Sequence, residues 1–375
     1  MMSAVVFWVA IAVVLYGYAL YPLLVRVLAR EFGRTPRLAP HTPPLTVVIA
    51  ARNEASRIEA RVRDVLQQDY PSEQLRVVVV DDGSTDRTAA AAAVADPRVR
   101  VLRLEHNQGK AAALNTALGA VDTPLVAFTD ARQRFAPGAL RKLVEPFADP
   151  AVGAVSGELM IDAPAPGGAG DIGLYWRMEV ALREGEARLR WLHGVSGAIY
   201  AMRRELLTAM PTGLILDDMY LPLAVVRAGR WVWMTREALA MDKPSVSGSA
   251  EFRRKLRTLV GNWQLIARLP WLCNPFRNPV FFAWVSHKLT RLIAPWALLA
   301  ALIASACAPG AFYFAMLLLQ ALAYGVATAA IIWPRATTRI PLMSAAGTFL
   351  MLNLAALLSL PACLALDPRG LWKKN

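Results

Sequence analysis

Acidic and basic residues recur at the ends of short aliphatic runs: Asp81-Asp82 in Val80-Asp-Asp-Gly-Ser-Thr-Asp86, Lys110 in Asn107-Gln-Gly-Lys110, Asp130 in Phe128-Thr-Asp130, and Asp217-Asp218 after Leu214-Ile-Leu216. In an open α/β sheet a ligand sits where buried parallel strands end, so Asp82 is placed to hold a base or ribose. The same turn can equally cap the next helix through Ser84 or Asp86. Gly109 lets the chain turn tightly, and Lys110 offers a point charge to a phosphate near a helix start. Asp130 can ligate a hard divalent cation that bridges two phosphates. Asp217 and Asp218, being adjacent, raise one another's proton affinity, which poises one of them as a general base. Capping the helix that follows is their other use. Asn53 and Glu54, after Leu45–Ala50, can present backbone donors and a carboxylate to a nucleotide, or cap a helix.

The elements that must carry these residues alternate. Strands are expected at Leu45–Ala50, Arg76–Val80, Val99–Leu104 and Leu125–Thr129, with the run Val77 to Val80 uninterrupted and β-branched, as in a parallel strand covered on both faces. Helices are expected at Asn53–Gln68, where Ile58, Val62, Val65 and Leu66 fall near helical spacing, and in the alanine-rich stretches Thr88–Val94 and Lys110–Leu118. Asp149–Gly170 holds turn and loop signals, including Ala163-Pro-Ala-Pro-Gly-Gly168, and is read as a loop at the rim of the site. The alternation argues for an α/β sheet between Pro43 and about Met241. Neither a complete phosphate-binding Gly-x-x-x-x-Gly-Lys-Ser/Thr loop nor a Gly-x-Gly-x-x-Gly fingerprint follows any of these strands, which counts against a dinucleotide-dependent dehydrogenase.

The setting is a membrane. A 56% hydrophobic content exceeds that of soluble domains, and no charged residue occurs from Met1 to Val25, from Leu292 to Pro334 or from Ile340 to Leu366. The first stretch lacks a basic start and a small-residue cleavage site, so it reads as a retained anchor. Arg26, Arg30, Arg34 and Arg37 follow it, which puts the soluble region in the cytoplasm, and Arg335 and Arg339 favour the same side. Three later crossings would leave Arg369, Lys373 and Lys374 outside, against that rule, unless one segment is re-entrant. Much of the +13 net charge flanks apolar segments, so anionic lipid rather than nucleic acid is the expected partner. Cys273, Cys307 and Cys363 lie too far apart in sequence to indicate a disulfide framework or a zinc site. The stretch Phe252-Arg-Arg-Lys-Leu-Arg257, leading to Trp263 and Trp271, suits a helix at the membrane interface, or a plain solvated basic face.

Taken in order, these residues resemble the family 2 glycosyltransferases, membrane-associated relatives of cellulose and hyaluronan synthases, over nearly the whole chain. The resemblance implies a GT-A fold, an α/β nucleotide-sugar domain with a Rossmann-like mixed sheet flanked by transmembrane helices. It also implies inversion of the anomeric centre in a single displacement. Asn53, Glu54 and Asp82 then belong to the donor site, with Asp82 matching the aspartate that contacts the base. Lys110 falls in the Asn-x-Gly-Lys motif, and Asp130 matches the first aspartate of Asp-x-Asp, which binds Mg²⁺ or Mn²⁺ and the diphosphate. Asp217-Asp218 corresponds to the family's Glu-Asp pair, with Asp218 as the base. Gly197 and Tyr200, in Gly194-Val-Ser-Gly-Ala-Ile-Tyr200, are similar to the acceptor side. Two departures stand out. Arg132 replaces the second aspartate and can neutralise diphosphate directly. In the later motif Arg254 and Thr258 replace glutamine and tryptophan, while Arg257 is kept for the donor side.

The organisation expected is an anchor over 1–30, a GT-A domain over 43–245, basic interfacial helices over 246–280, transmembrane helices over 281–366 and a basic tail over 367–375. The function implied is transfer of a sugar from a nucleotide diphosphate sugar, UDP before GDP, to a lipid-linked or polysaccharide acceptor at the cytoplasmic face of a bacterial inner membrane. Loss of the aromatic platform favours one addition at a time over a processive polysaccharide synthase. An inactive transferase-like scaffold is the alternative from another class.

Overall fold

The computed structural model describes residues 1–161, 172–243, 248–333 and 340–365. The stretch 163–168, Arg335, Arg339 and the basic tail 367–375 lie outside them, as do Arg369, Lys373 and Lys374. A single sheet holds eight strands: β1 (Leu45–Ala51), β2 (Leu75–Asp81), β3 (Val99–Arg103), β4 (Leu125–Asp130), β5 (Arg134–Phe135), β6 (Val152–Ile161), β7 (Tyr200–Arg203) and β8 (Trp231–Asp242). Their order is β3-β2-β1-β4-β7-β6-β8-β5. The first four are parallel, β7 runs antiparallel between β4 and β6, and β8 lies parallel to β6. Val47, Ile49, Val77, Val79, Val80, Val126 and Ala127 are wholly buried, which accounts for the uninterrupted β-branched runs.

Register brings the acids to one edge. Asp81 pairs with Ala51 and Asp130 with Ala50, so β1, β2 and β4 end level with one another at the carboxyl side of the sheet. The helix Lys110–Leu118 packs on β1 and β2 and buries Leu114 beside Ala111, Ala113 and Ala117, whose small side chains let it lie close. That closeness carries Lys110, at its first turn, to the strand ends.

Two expectations change. The helix expected from Asn53 starts only at Ile58, because Asn53 takes a left-handed conformation (φ 53°) that a right-handed helix does not admit. Asp149–Gly170 is not all loop: Val152–Ile161 is a ten-residue strand inside the sheet. Its glycines, Gly153 and Gly157, lie where the β6–β8 register shifts, between Val152 and Ala154 and between Ser156 and Glu158. At Gly157 an added Cβ would stand 2.4 Å from the Ala238 carbonyl oxygen and 2.8 Å from Ile199 Cγ2. Gly157→Ala is therefore expected to cost about 1–3 kcal/mol. Thermal unfolding of the purified protein would read this as a lower Tm, and an unchanged Tm would mean that the strands part freely.

Among the described residues four helices are long and apolar enough to cross a membrane: Met2–Phe32, Phe281–Cys307, Ala311–Ile332 and Leu342–Ala365. The first two touch where each carries a π turn, Tyr16–Leu20 against Val285–Leu289. There Tyr16 and Ser286 share a 2.6 Å hydrogen bond, and Gly17 leaves room for the Thr290 methyl. The amphipathic helix Gly248–Arg268 lies against the last apolar helix, and its Trp263 indole donates to Ser359 Oγ at 2.9 Å.

Candidate active site

Lys110 joins two of the acids. Its Nζ lies 3.0 Å from Asp130 Oδ1 and 3.2 Å from Asp217 Oδ1, which ties the end of β4 to the first turn of the helix Asp217–Arg227. Burial opposes the ammonium charge, but Asp130, Asp217 and Asp218 outweigh it and hold Lys110 well above its ordinary value. Asp217 is itself buried and accepts a 3.3 Å hydrogen bond from the Tyr200 hydroxyl. The Tyr200 ring stacks on Phe128 with centroids 4.8 Å apart. Buried throughout, Tyr200 supports Asp217 from within the core rather than facing an acceptor.

Asp218, one residue on, turns towards the segment Gly194–Gly197. The Val195 amide donates to the Asp218 carbonyl at 2.9 Å, and a Cβ on Gly197 would stand 3.2 Å from Asp218 Oδ2, so a glycine lets the backbone come beside the carboxylate. The Asp218 carboxyl is pushed up to about 6, first by burial and then by the charge of Asp217, with Lys110 and Arg183 pulling the other way. Two neighbouring carboxylates thus have distinct environments: Asp217 is salt-bridged, and Asp218 is poised to accept a proton near neutral pH.

Lys110, Asp130, Arg132, Gly197, Asp217, Asp218 and Arg257 line one cavity of about 1080 Å³. Asn53, Glu54 and Asp82 are not among its walls; they hold the loops beside it. Asp82 accepts hydrogen bonds from the Gln108 and Gly109 amides at 2.7 and 2.9 Å, fixing the turn that launches Lys110. Asn53 Oδ1 accepts from the Thr85 amide at 3.0 Å, and the Glu54 amide donates to Thr88 Oγ1 at 2.8 Å. The Glu54 carboxylate meets Arg57 at 3.1 Å. Asp86 accepts from the Thr88 and Ala55 amides, so the loops after β1 and β2 brace each other. Arg132 pairs with the buried carboxylate of Asp242, which also accepts from Gln133 at 3.0 Å; that tether holds it at the cavity wall.

Several residues here had no motif to announce them. Arg61, buried beneath β4, donates to Thr129 Oγ1 at 2.8 Å and lies 3.9 Å over the Phe135 ring. Arg183 donates to Ser156 Oγ at 3.1 Å and to the Gly194 carbonyl at 3.4 Å, supporting the glycine segment. Glu179, Arg183 and Glu186 share a face of the helix Ile172–Arg188 at i, i+4 and i+7, a spacing that would have been readable. His287 bridges Glu186 and Glu179 at 2.9 Å each, and the Tyr21 hydroxyl donates to Glu186 at 2.7 Å. For Glu179, burial would raise the carboxyl, but Arg291 and His287 hold it well below its usual range.

Among the described residues no group of three or more His, Cys, Asp and Glu side chains encloses a cation site. Asp130 offers one partly exposed carboxylate. That donor set fits a Mg²⁺ or Mn²⁺ ion held mainly by phosphate oxygens and water, which needs only one or two protein carboxylates.

A parallel β3-β2-β1-β4 half continued by an antiparallel half, with acids at the strand ends and a lysine-bridged aspartate pair facing them, defines a GT-A fold. Residues 46–209 match the family described as Glycosyl transferase family 2, and the chain belongs to that family. It is 41% identical over 101 residues to the succinoglycan biosynthesis protein ExoU of Rhizobium meliloti, an alignment covering 26% of this chain and 29% of that protein. An N-acetylglucosaminyltransferase of Bradyrhizobium elkanii is 32% identical over 123 residues, covering 32% of this chain and 67% of that one. The mannosyltransferase PcManGT of Pyrobaculum calidifontis, solved with GDP-Man and Mn²⁺, superposes with a TM-score of 0.72 at 27% identity, over 96% of this chain and 99% of that one. The similarity to that structure therefore extends through the apolar helices at both ends.

Proposed function

We propose that the protein is an inverting glycosyltransferase that passes one sugar at a time from a nucleotide diphosphate sugar to a lipid-linked or polysaccharide acceptor. The work takes place at the cytoplasmic face of a bacterial inner membrane. The observation that carries this reading is the Lys110 bridge between Asp130 and Asp217, with Asp218 opening onto the same cavity. Asp218 takes the proton of the acceptor hydroxyl as its oxygen attacks the anomeric carbon, while the bond from that carbon to the diphosphate breaks and its electron pair leaves with the nucleotide. Lys110 and Arg257 face the charge that develops on the leaving group, and Arg132 stands by from its Asp242 tether. Asn53, Glu54 and Asp82 serve the donor by shaping the loops on which it rests. Gly197 gives the acceptor close access to Asp218, and Asp217 keeps Lys110 in place with Tyr200 behind it.

Asp130 would hold the divalent ion, which when bound supplies further charge stabilisation to the departing diphosphate. UDP-sugars are the first donors to test, followed by GDP-mannose, the ligand bound to PcManGT. Purified protein screened against a panel of nucleotide sugars should release nucleoside diphosphate with at least one of them. No release and no calorimetric binding across the panel would favour the inactive-scaffold alternative. Excess chelator should remove most of the turnover; full activity without metal would shift the diphosphate's neutralisation to Lys110, Arg132 and Arg257.

A further inference from the structure

Three helices meet around a buried carboxylate that the proposed chemistry does not use. Glu186, in the helix Ile172–Arg188, is wholly buried; Tyr21 of the first apolar helix donates to its Oε1 at 2.7 Å, and His287 Nδ1 of the second lies 2.9 Å from the same oxygen. His287 Nε2 lies 2.9 Å from Glu179, two turns earlier on the same helix, which Arg291 also engages. The two apolar helices reach these places through their π turns: Tyr21 follows directly on Tyr16–Leu20, and His287 lies within Val285–Leu289. A π turn admits one residue more than an α turn and so changes which side chains face a neighbour, and such turns gather at functional sites. Gly185 allows the close approach, since a Cβ there would stand 2.7 Å from Val25 Cγ1 of the first helix.

Packing alone does not require these charges. Apolar side chains of similar volume hold helices together about as well as a buried ion pair, whereas the ion pair fixes direction. For Glu186, burial opposes the charge, but His287 and, beyond it, His193 and Tyr21 hold the carboxyl below its usual range. The direction that is fixed shows at the end of the helix. The Glu186 carbonyl accepts from the Trp191 amide at 2.7 Å and from the Leu192 amide at 3.2 Å, closing the helix around Arg190, whose φ of 60° is left-handed. Just past this turn the chain enters Gly194–Gly197, the segment beside Asp218. His193 returns to the group: its Nδ1 lies 3.0 Å from the Trp191 carbonyl oxygen, and its ring meets that of His287 edge on with centroids 5.8 Å apart. Arg183, one turn before Glu186, reaches the other way, to the Gly194 carbonyl at 3.4 Å and to Ser156 Oγ at 3.1 Å, which also accepts from the Ser196 amide at 2.9 Å. One helix thus carries both the grip on the two apolar helices and the grip on the segment that borders the base.

We infer that Glu186 is a positioning residue for transfer: fastened by Tyr21 and His287, it sets the turn Leu189–His193 and with it the segment Gly194–Gly197 against Asp218. The first apolar helix is then a working part of the active site. The inference rests on the transferase reading for its catalytic consequence, but the link from Tyr21 to the segment can be tested without it. Asp130, Lys110 and Arg257 stand on β4 and on the helices Lys110–Leu118 and Gly248–Arg268, so donor binding should be indifferent to Glu186.

The full chain, in micelles of an uncharged detergent, would be compared with Tyr21→Phe, which removes one hydroxyl, and Glu186→Leu, which puts an apolar group of similar size in place of the carboxylate. Hydrogen–deuterium exchange read by mass spectrometry should quicken by about 10-fold in peptides covering 191–197 in both variants, the worth of one charge-assisted hydrogen bond, and stay unchanged in β1 to β4. Turnover would be followed as release of nucleoside diphosphate from UDP-glucose, UDP-N-acetylglucosamine and GDP-mannose, with a lipid extract of bacterial membranes as acceptor. In Glu186→Leu kcat should fall by about 10- to 100-fold, the cost of a misplacement near 1 Å, while the KM for the donor stays within about two-fold. Unchanged exchange over 191–197 in both variants overturns the inference, whatever the activity does. Faster exchange with wild-type kcat overturns it too, leaving the group as a structural clamp, and so does a donor KM that rises as kcat falls, which would place the damage at the donor end. Should Glu186→Leu fail to fold, Tyr21→Phe decides by the same two measurements. Faster exchange in a protein that turns over none of the three donors and binds none of them by calorimetry keeps the link and loses the transferase assignment.

Discussion

Asp218→Asn should lower sugar transfer by about 10²–10⁴-fold, the range contributed by a positioned general base, while nucleotide affinity stays within a few fold. The amide has nearly the shape of the carboxylate but cannot accept the acceptor's proton. In the wild type the base is active when ionised, so transfer should rise with pH through about 6 and level off above it. In the variant that rise should vanish. Stability should move the opposite way. A carboxyl raised from 3.8 to about 6 binds its proton more tightly in the folded protein, so its contribution favours folding at low pH and is lost as pH climbs through 6. An amide escapes that cost, and the variant should melt no lower than the wild type at pH 7. Wild-type turnover in Asp218→Asn would remove Asp218 from the chemistry, and a collapsed Tm would make the loss of activity uninformative about the base.

Lys110→Met should damage the protein in two ways. The lysine is 17% exposed and touches Asp130 and Asp217 at 3.0 and 3.2 Å, so its removal leaves neighbouring carboxylates without their shared cation. For the buried partner, Asp217, deleting the cation costs about 3–5 kcal/mol, while Asp130, partly exposed, is screened by solvent and loses much less. The second effect is chemical. Lys110 is among the groups that pull the Asp218 carboxyl down, so without it that carboxyl should rise further and the activity profile should shift to more alkaline pH. Affinity for nucleoside diphosphate should fall by about 10- to 100-fold, the worth of a charge-assisted hydrogen bond. Calorimetry and a pH–rate profile separate these effects. An unshifted profile would mean that Lys110 serves the fold and the donor but does not tune the base.

These expectations bear on Asp82 and Asn53 in a different way. Both were legible as residues at strand ends, and both do stand there, yet their side chains hold backbone. Asp82 fixes the Gln108–Gly109 turn, and Asn53 ties down the loop after β2. A carboxylate at a strand end can bind a ligand or bind its own chain, and nothing local distinguishes the two uses. Substituting Asp82 would therefore act on Lys110 through the turn, whether or not it also touches a base.

Period and chemical type along the chain were enough for the strands β1 to β4, the alanine-rich helix at Lys110 and the apolar segments, because burial on both faces and passage through hydrocarbon each demand a run of side chains that is visible in order. They were also enough for Lys110, Asp130 and Asp217-Asp218, whose places follow from where those elements end. The strand Val152–Ile161 was hidden in the stretch read as loop, since a glycine that permits close strand packing, such as Gly157, looks the same as one that permits a turn. In the sequence only the family resemblance singled out Asp218; the tertiary structure adds which of the two carboxylates is bridged, since Lys110 reaches Asp217. Asp217 and Asp218 are neighbours of one type, and the difference between them comes from burial, which pushes the Asp218 carboxyl up, and from Lys110, more than a hundred residues earlier in the chain, which pairs with Asp217. The same holds for Arg183, Lys255 and Lys288, which come from three helices far apart in sequence. Their charges meet in one cavity because helix packing, a long-range event, sets where long side chains converge.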